Sequence, residues 1–351
     1  MVASIPVLVE FFFFSIFPYY IINLVHSIPG SYYEHLKVSR PCEFDVMLVF
    51  EAHRFRTFFT IEYPVRSRDS SVGFAKLKFK DHVTGGREIW GEFLTKDGKY
   101  LSPRKTVHRF HLLVLEAVKS MKTSQRTRIS NIRNGNESSK SPAVTLTIDG
   151  KIDLDLVLSL EILEWPKCAN AWGNFAKNKT SPTQSKVEEI KMREPKVHLV
   201  AKHCPSEKGI PFDSQVYWRI SFSEAEKTLL RPSGSEKKYF RITKAIFEAM
   251  KERFKPLTSF HLKMLFLHLH YENPRAKNND SILGKSVVKF FKSLIDRLEK
   301  GRLPHFFVRN LNLFAEMAQN KRTARLAKKL RRVLVKPLRE NPEKFLRSLK
   351  L

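Results

Sequence analysis

Residues 143–160 read AVTLTIDGKIDLDLVLSL, a stretch that predicts a β-hairpin and, with it, a sheet. Two runs rich in β-forming residues, 143–148 and 151–160, flank the dipeptide Asp149-Gly150. Asp-Gly favours a two-residue turn because both positions tolerate positive φ. Alternate residues of a strand face opposite sides of a sheet, so the second run should place leucines on a core and aspartates on the other face.

A strand with two carboxylates on one face is predicted just before residue 50. Glu43 and Asp45 stand two positions apart, so both side chains point the same way. Two such carboxylates repel each other unless a cation lies between them, and hard oxygen ligands suit Mg²⁺ or Mn²⁺. A third carboxylate from the hairpin, Asp155 or Asp153, would complete a two-metal site for phosphoryl or nucleotidyl transfer. The alternative is an exposed strand face that binds nothing.

Composition bounds the class of protein. The chain has 351 residues, of which 42% are hydrophobic, enough for one large or two ordinary domains and too many for a disordered or fibrous protein. Its net charge of +28 predicts a polyanionic partner or an anionic surface. Cys42, Cys168 and Cys204 form no CxxC pair, which excludes a disulfide scaffold and a cysteine zinc cluster and favours a reducing compartment.

The chain changes from sheet to helix near its middle. Further strands are predicted at 58–63 and 74–79, a helix at 107–121 and a loop at 123–141. Apolar residues at helical spacing predict helices over 242–250, 260–270 and 287–298. We therefore predict a sheet lobe over 30–200, a helical lobe over 201–320 and a basic C-terminal helix or tail over 321–351, whose leucine spacing at 326–338 suggests one amphipathic helix.

The N-terminal segment, residues 1–29, is apolar from 5 to 25, near the ~20 residues that span a bilayer. Pro6, Glu10 and Pro18 interrupt it, and no basic residues flank it. We favour a segment packed on the protein; membrane contact through residues 5–25 is the less favoured alternative.

Four separated motifs carry a resemblance to a known family. They are Gly30-Ser31-Tyr32-Tyr33-Glu34-His35, Glu43-Phe44-Asp45-Val46-Met47, Ser141-Pro142-Ala143-Val144-Thr145-Leu146 and Trp218-Arg219-Ile220-Ser221-Phe222-Ser223. In this order they resemble the cyclic GMP-AMP synthase branch of the Mab-21 nucleotidyltransferases, over about residues 30–314. The resemblance implies an α+β, two-lobed fold, a mixed sheet lobe plus a C-terminal helical lobe, with the active site in the cleft between them. It also implies synthesis of a cyclic dinucleotide from ATP and GTP as a second messenger in innate antiviral immunity, on activation by double-stranded nucleic acid.

The same resemblance assigns site residues. It gives Glu43, Asp45 and Asp155 as catalytic metal ligands for Mg²⁺ or Mn²⁺, choosing Asp155 over Asp153, and Gly30-Ser31 as the phosphate loop. The nucleotide contacts it implies are Arg219, Ser221 and Ser223 to the base, Glu226 and Lys244 to triphosphate or ribose, and Ser259-Phe260 where the family has a Ser and a stacking Tyr. Phe keeps the π-face and loses the hydroxyl. For Arg219 and Lys244 the alternative is an ordinary basic face.

Two departures from the family bear on function. The DNA-sensing members carry a zinc-binding insertion of one His and three Cys, but residues 230–238 contain neither residue type, so we predict no zinc. The lack of a zinc insertion, with the abundance of Lys and Arg, resembles the animal cyclic GMP-AMP synthase-like receptors. We therefore favour double-stranded RNA over double-stranded DNA as the activator. A homo-oligomer that assembles on the nucleic acid is possible. Residues 1–29 do not resemble the helix and strand that precede Gly-Ser in the family.

The expected nucleic-acid contacts are unspecific. They are Lys237, Lys238, Lys251, Arg253 and the basic tail from residue 321. The alternative for each of them is a solvated face that binds nothing. The resemblance and the cysteine count together predict a cytoplasmic enzyme. The alternatives are a catalytically inactive Mab-21 scaffold and a membrane-associated, basic nucleic-acid-binding protein.

Overall fold

The protein contains two compact units in the computed structural model, which describes residues 26–27, 43–50, 52–64, 72–121, 128–134, 142–169, 197–202, 216–230, 235–272 and 283–350. The first unit comprises Met1–Tyr33, Pro41–Lys167 and Glu194–Ala225, and its described part carries a mixed sheet. The second comprises Glu34–Arg40, Cys168–Arg193 and Glu226–Leu351, and its described part is helical. The predicted α+β class, a mixed sheet lobe followed by a helical lobe, is confirmed.

The sheet of the first unit is built from strands named here in chain order. They are β1 His26–Ser27, β2 Glu43–Phe50, β3 Phe59–Glu62, β4 Phe74–Phe79, β5 Ile129–Asn134, β6 Ala143–Ile148, β7 Ile152–Ile162, β8 Val197–Val200 and β9 Tyr217–Ser221. Neighbouring strands follow the order β1-β2-β7-β8-β9-β4-β3, while β6 pairs with both β5 and β7. The pairing of β2 with β7 is parallel and the other pairings are antiparallel.

The predicted hairpin forms β6 and β7. Asp149 and Gly150 both adopt positive φ, at 51° and 65°, as the two-residue turn requires. Leu154, Leu156 and Leu158 are at most 3% exposed while the residues between them are partly exposed, so the predicted alternation is confirmed there; from 158 to 162 every residue is buried. These three leucines belong to a core on one side of the sheet, to which β2 and β6 also contribute. Helix α3, Pro103–Ser120, covers this core with Phe110, Val114 and Ala117.

Among the described residues up to 121, three helices accompany the strands of the sheet. They are α1 Ala52–Arg56, α2 Gly86–Trp90 and α3, with a 3-10 turn at Gly91–Phe93. Helix α3 begins at a proline preceded by Ser102, whose hydroxyl accepts a hydrogen bond from the Lys105 amide at 3.4 Å. A serine N-cap followed by proline is a favoured helix start, because proline has no amide hydrogen to leave unpaired. The helix predicted at 107–121 therefore begins four residues earlier.

The second unit is described almost wholly as helix. Its elements are α4 Ser223–Leu229, which crosses from the first unit, α5 Ser235–Met250, α6 Ser259–Glu272, α7 Leu283–Glu299, α8 Ala315–Gln319, α9 Arg322–Leu330, α10 Lys336–Glu340 and α11 Pro342–Ser348. A cluster of aromatic rings joins α5, α6 and α7: Phe240 stacks on Phe266 at 4.3 Å between ring centroids, and Phe290 lies 6.4 Å from Phe240. The three helices predicted from apolar spacing are thus confirmed.

Two expectations from sequence need correction. The predicted loop at 123–141 contains β5, an edge strand whose sequence, ISNIRN, has weak β signal and is stabilised by pairing with β6. The C-terminal region is helical without a break from Arg322 to Glu340, through the π-helical turn Arg331–Val335, so the helix predicted from the leucine spacing is confirmed there. It does not continue to the end of the region, because the chain breaks at Asn341. Proline at 342 disfavours helical geometry in the residue before it, and the Asn341 side chain accepts a hydrogen bond from the Lys344 amide at 3.0 Å.

The remaining expectations concern boundaries and the membrane. The sequence predicts that the sheet lobe ends at residue 200. In the structure the sheet unit continues through β9 to Ala225. Among the described residues, none of the helices combines the length and apolar character needed to cross a membrane. The apolar segment 5–25 lies outside the described residues.

Candidate nucleotidyltransferase site

The two predicted acidic strands are direct neighbours. Strand β2 runs parallel to β7 in a register that sets Asp45 opposite Asp155 and Glu43 opposite Asp153. Directly paired residues share a face of the sheet, and this face is the one opposite α3. The structure therefore brings Glu43, Asp45 and Asp155 together on one face, as the resemblance implied.

Hydrogen bonds from β5 and β6 distinguish the two aspartates of β7. Asp153 accepts hydrogen bonds from the Thr147 hydroxyl at 2.7 Å and from the Arg133 guanidinium at 2.6 Å. Asp155 accepts one from the Thr145 hydroxyl at 2.5 Å. The charge of Asp153 is thus compensated by Arg133. The periodicity of the sequence alone does not distinguish Asp153 from Asp155.

The pKa values of the two aspartates move in opposite directions. The Thr147 hydrogen bond, with Arg133, lowers the pKa of Asp153. Burial raises the pKa of Asp155, and the negative charges of Glu43 and Asp153 add to this rise, while the Thr145 hydrogen bond opposes it. Asp155 is therefore the less compensated of the two carboxylates of β7.

The carboxylates present fit a divalent metal by their chemistry. Glu43, Asp45 and Asp155 provide only hard oxygen donors, which Mg²⁺ and Mn²⁺ prefer. In the ranges that the structure describes, no three acidic, imidazole or thiol groups stand near enough together to enclose an ion. Gly30 and Ser31 lie outside the described residues.

Arg219 and Ser221, predicted to contact a base, lie on β9. Their register partners on β8 are Val200 and His198, so both side chains share the face on which Asp155 lies. Between them Ile220 points into the core at 3% exposure. Ser223 begins α4, and its hydroxyl oxygen is buried without a hydrogen-bond partner in the described part of the chain. Such an unsatisfied hydroxyl is costly unless a ligand or water pairs with it.

Lys202 is a cation that sequence reasoning missed. It follows β8 by two residues and lies near enough to Arg219 for the two charges to interact. Burial, with repulsion from Arg219 as the smaller cause, lowers the pKa of Lys202 to about 8. A lysine after a short apolar strand has no sequence signature, because its burial depends on strands that are distant in the chain.

The predicted site residues of the helical unit form their own group. Glu226 is 7% exposed and accepts a hydrogen bond from the Lys263 ammonium at 3.0 Å, and Lys244 on α5 is 8% exposed. Ser259 and Phe260 begin α6, and the Phe260 ring lies 5.9 Å from the His305 ring. Charged groups almost never become this buried without partners, so Lys244 and Glu226 differ from an ordinary solvated basic face.

The predicted nucleic-acid residues lie at or near the surface of the helical unit. Lys237 and Lys238 are in the first turn of α5, and Lys251 and Arg253 are in the 3-10 turn Lys251–Phe254. Lys238, Lys251 and Arg253 are exposed, and Lys251 pairs with Glu248 at 3.5 Å. The role of these four residues in binding nucleic acid stays a prediction.

The sheet with paired carboxylates and the helical unit define the chain as a nucleotidyltransferase-type protein. Residues 32–232 match the Mab-21 protein nucleotidyltransferase domain, and residues 235–332 match the Mab-21 protein HhH/H2TH-like domain. The chain therefore belongs to the Mab-21 family.

A curated relative is similar over most of the chain. Cyclic GMP-AMP synthase of Mus musculus is 30% identical over 330 residues, which cover 86% of this chain and 58% of the mouse protein. The chain thus corresponds to somewhat over half the length of that relative. The family expected from the four motifs is confirmed.

Proposed function

We propose that this protein is a divalent-metal-dependent nucleotidyltransferase that joins ATP and GTP into a cyclic dinucleotide such as cyclic GMP-AMP. The observation that carries the proposal is the parallel register of β2 and β7, which sets Asp45 beside Asp155 with Glu43 on the same face. Its similarity to a cyclic GMP-AMP synthase supports the choice of substrates and product.

The acidic residues would act together at the phosphates. Glu43, Asp45 and Asp155 would hold Mg²⁺ or Mn²⁺. When bound, such cations offset phosphate charge, polarise the α-phosphorus of the donor and stabilise the pyrophosphate leaving group. Thr145 fixes the Asp155 carboxylate through Oδ1. One of these carboxylates would accept the proton of the attacking ribose hydroxyl.

The other residues would position the nucleotides. Arg219 and Ser221 project from the face that carries the acidic residues, where they would contact the acceptor base. Glu226, Lys244, Ser259 and Phe260 would bind the triphosphate, ribose or base from the helical unit. Because a cyclic product needs two successive transfers, the linear intermediate must turn over in the same site, and positioning then accounts for most of the catalysis.

Double-stranded nucleic acid, RNA in preference to DNA, would activate the enzyme. The charge of +28 and the exposed side chains of Lys238, Lys251 and Arg253 support a partner recognised through its phosphates. The cyclic dinucleotide would then serve as a second messenger in innate antiviral immunity, a role that the similarity to a cyclic GMP-AMP synthase supports.

The test incubates the purified full chain with ATP, GTP and Mg²⁺ or Mn²⁺, with long duplex RNA, long duplex DNA or no duplex, and identifies products by mass spectrometry. A cyclic dinucleotide is expected with duplex, and more with RNA. The double variant Asp45→Asn/Asp155→Asn should make none, because the carboxylates that hold the metal are lost.

The matched control is Asp153→Asn, the same substitution two residues away on β7. Since Arg133 and Thr147 already engage Asp153, we expect this variant to retain most of the activity. Equal product from the double variant would remove the metal assignment. No product with either duplex would favour a catalytically inactive Mab-21 scaffold.

A further inference from the structure

The helical unit has a second concave surface, formed by residues outside the proposed nucleotide site. Helices α5, α7, α10 and α11 line an open groove with a volume of about 520 Å³, within the range of ligand-binding pockets. Of its apolar side chains, Ile242, Val288 and Leu346 are partly exposed, and Ile246, Val287 and Leu338 are buried. We name this surface the α5/α7 groove.

Unpaired positive charge rims the groove. Lys285, Lys289 and Lys292 recur at positions i, i+4 and i+7 of α7, so they form one row along the groove, and Arg339 lies on α10. All four are exposed. Within the described ranges none of the four enters an ion pair.

Nearby carboxylates do not neutralise this row. Glu340 on α10 lies 3.9 Å from Lys336, and Glu343 on α11 lies 3.6 Å from Arg347, so each has a cationic neighbour on its own helix. Among the described residues, neither these nor another acidic side chain lines the α5/α7 groove. The groove therefore combines an apolar floor with an uncompensated cationic edge.

The apolar floor and the cationic edge together favour one class of anionic partner. A nucleic-acid duplex would satisfy the lysines through its phosphates but leave the apolar floor uncovered, since base edges and sugars are polar. An amphipathic peptide helix with apolar side chains on one stripe and carboxylates beside it would satisfy both. The Lys285–Lys292 row spans about 10.5 Å, or roughly two turns, a length that a short helix matches.

We propose that the α5/α7 groove binds an acidic amphipathic helix of a partner protein. The apolar stripe of that helix packs on the floor, and its carboxylates pair with Lys285, Lys289, Lys292 and Arg339. The proposal is independent of the proposed enzymatic function, because it uses none of the proposed nucleotide-site residues. A partner docked there would remain able to bind a variant with an inactive acidic site.

The test measures fluorescence anisotropy of the full chain with a fluorescein-labelled peptide of about 16 residues, with Leu at helical i, i+3, i+4 and i+7 spacing and Glu on the flanking positions. A scrambled peptide of identical composition separates amphipathic recognition from charge attraction. A labelled RNA duplex of about 20 base pairs serves as the competing macromolecule. The variants are Lys285→Glu/Lys289→Glu/Lys292→Glu and Leu346→Gln in the floor.

The matched control reverses the same number of charges on another exposed face: Arg325→Glu/Lys328→Glu/Lys329→Glu on α9. We expect the groove variant to weaken binding of the amphipathic peptide at least about tenfold, the α9 variant less than about threefold, and Leu346→Gln at least about threefold. Circular dichroism checks that each variant keeps its helix content.

Three results would overturn the proposal. One is equal binding of the scrambled peptide, which would reduce the interaction to net charge. Another is an equal loss of peptide binding in the groove and α9 variants. The third is a groove variant that loses RNA binding while its peptide binding is unchanged, which would assign the lysine row to nucleic acid.

Discussion

Lys202→Met should stabilise the protein at neutral pH. The pKa of Lys202 is lowered from 10.5 to about 8, mainly by burial and further by Arg219. Each pKa unit corresponds to about 1.4 kcal/mol, so the charged ammonium costs the folded state roughly 3 kcal/mol at pH 7. Methionine fills a similar volume without the charge. We therefore expect the free energy of unfolding to rise by roughly 1–3 kcal/mol.

The pH dependence identifies the cause. As pH rises from about 8 towards 10.5, folded Lys202 loses its proton while the unfolded chain keeps it, so the unfolded state binds more protons and the wild type gains stability. The advantage of Lys202→Met should therefore shrink over this window. Urea unfolding of both proteins at pH 7 and at about pH 9.5, followed by tryptophan fluorescence, measures the difference.

A control at an exposed lysine separates burial from a general charge effect. Lys96→Met removes a solvent-exposed cation from a turn in the same unit and should show little change at either pH. Nuclear magnetic resonance of ¹³C-labelled lysines should show one side chain titrating near pH 8 that is missing from Lys202→Met. If every lysine titrates above about pH 10, or the stability gain does not change with pH, the reasoning is wrong.

Further predictions concern single hydrogen bonds and turns. Thr145→Val removes the hydroxyl that bonds Asp155, so the pKa of Asp155 in metal-free protein should rise further, measured by carboxyl ¹³C titration; no change would contradict the hydrogen bond. Ser102→Ala removes the N-cap of α3 and should lower the free energy of urea unfolding by about 1 kcal/mol. Gly150→Ala places a side chain at a φ of 65° and should cost about 1 kcal/mol in the same assay, whereas Gly91→Ala, at a φ of −53°, should not.

Local pattern was enough to predict the elements near the acidic site. A short apolar run rich in β-forming residues predicted β2, and the alternation of apolar and acidic residues predicted β7. Asp149-Gly150 predicted the hairpin of β6 with β7, because turn geometry depends on adjacent residues. The prediction missed β5, whose stability comes from its partner strand. The broken helix at Asn341 was missed although Pro342 is a visible local signal.

The sequence by itself determined which residue types were available: two carboxylates two apart, a second acidic strand, and the four family motifs. Only the tertiary structure decided that β2 lies parallel to β7 with Asp45 opposite Asp155, that Arg133 compensates Asp153, and that Lys202 is partly buried beside Arg219. These outcomes depend on strands far apart in the chain. The burial and charge environment of these side chains depend on neighbours that are distant in sequence. A local sequence pattern does not specify them, because strand pairing involves contacts between residues far apart in the chain.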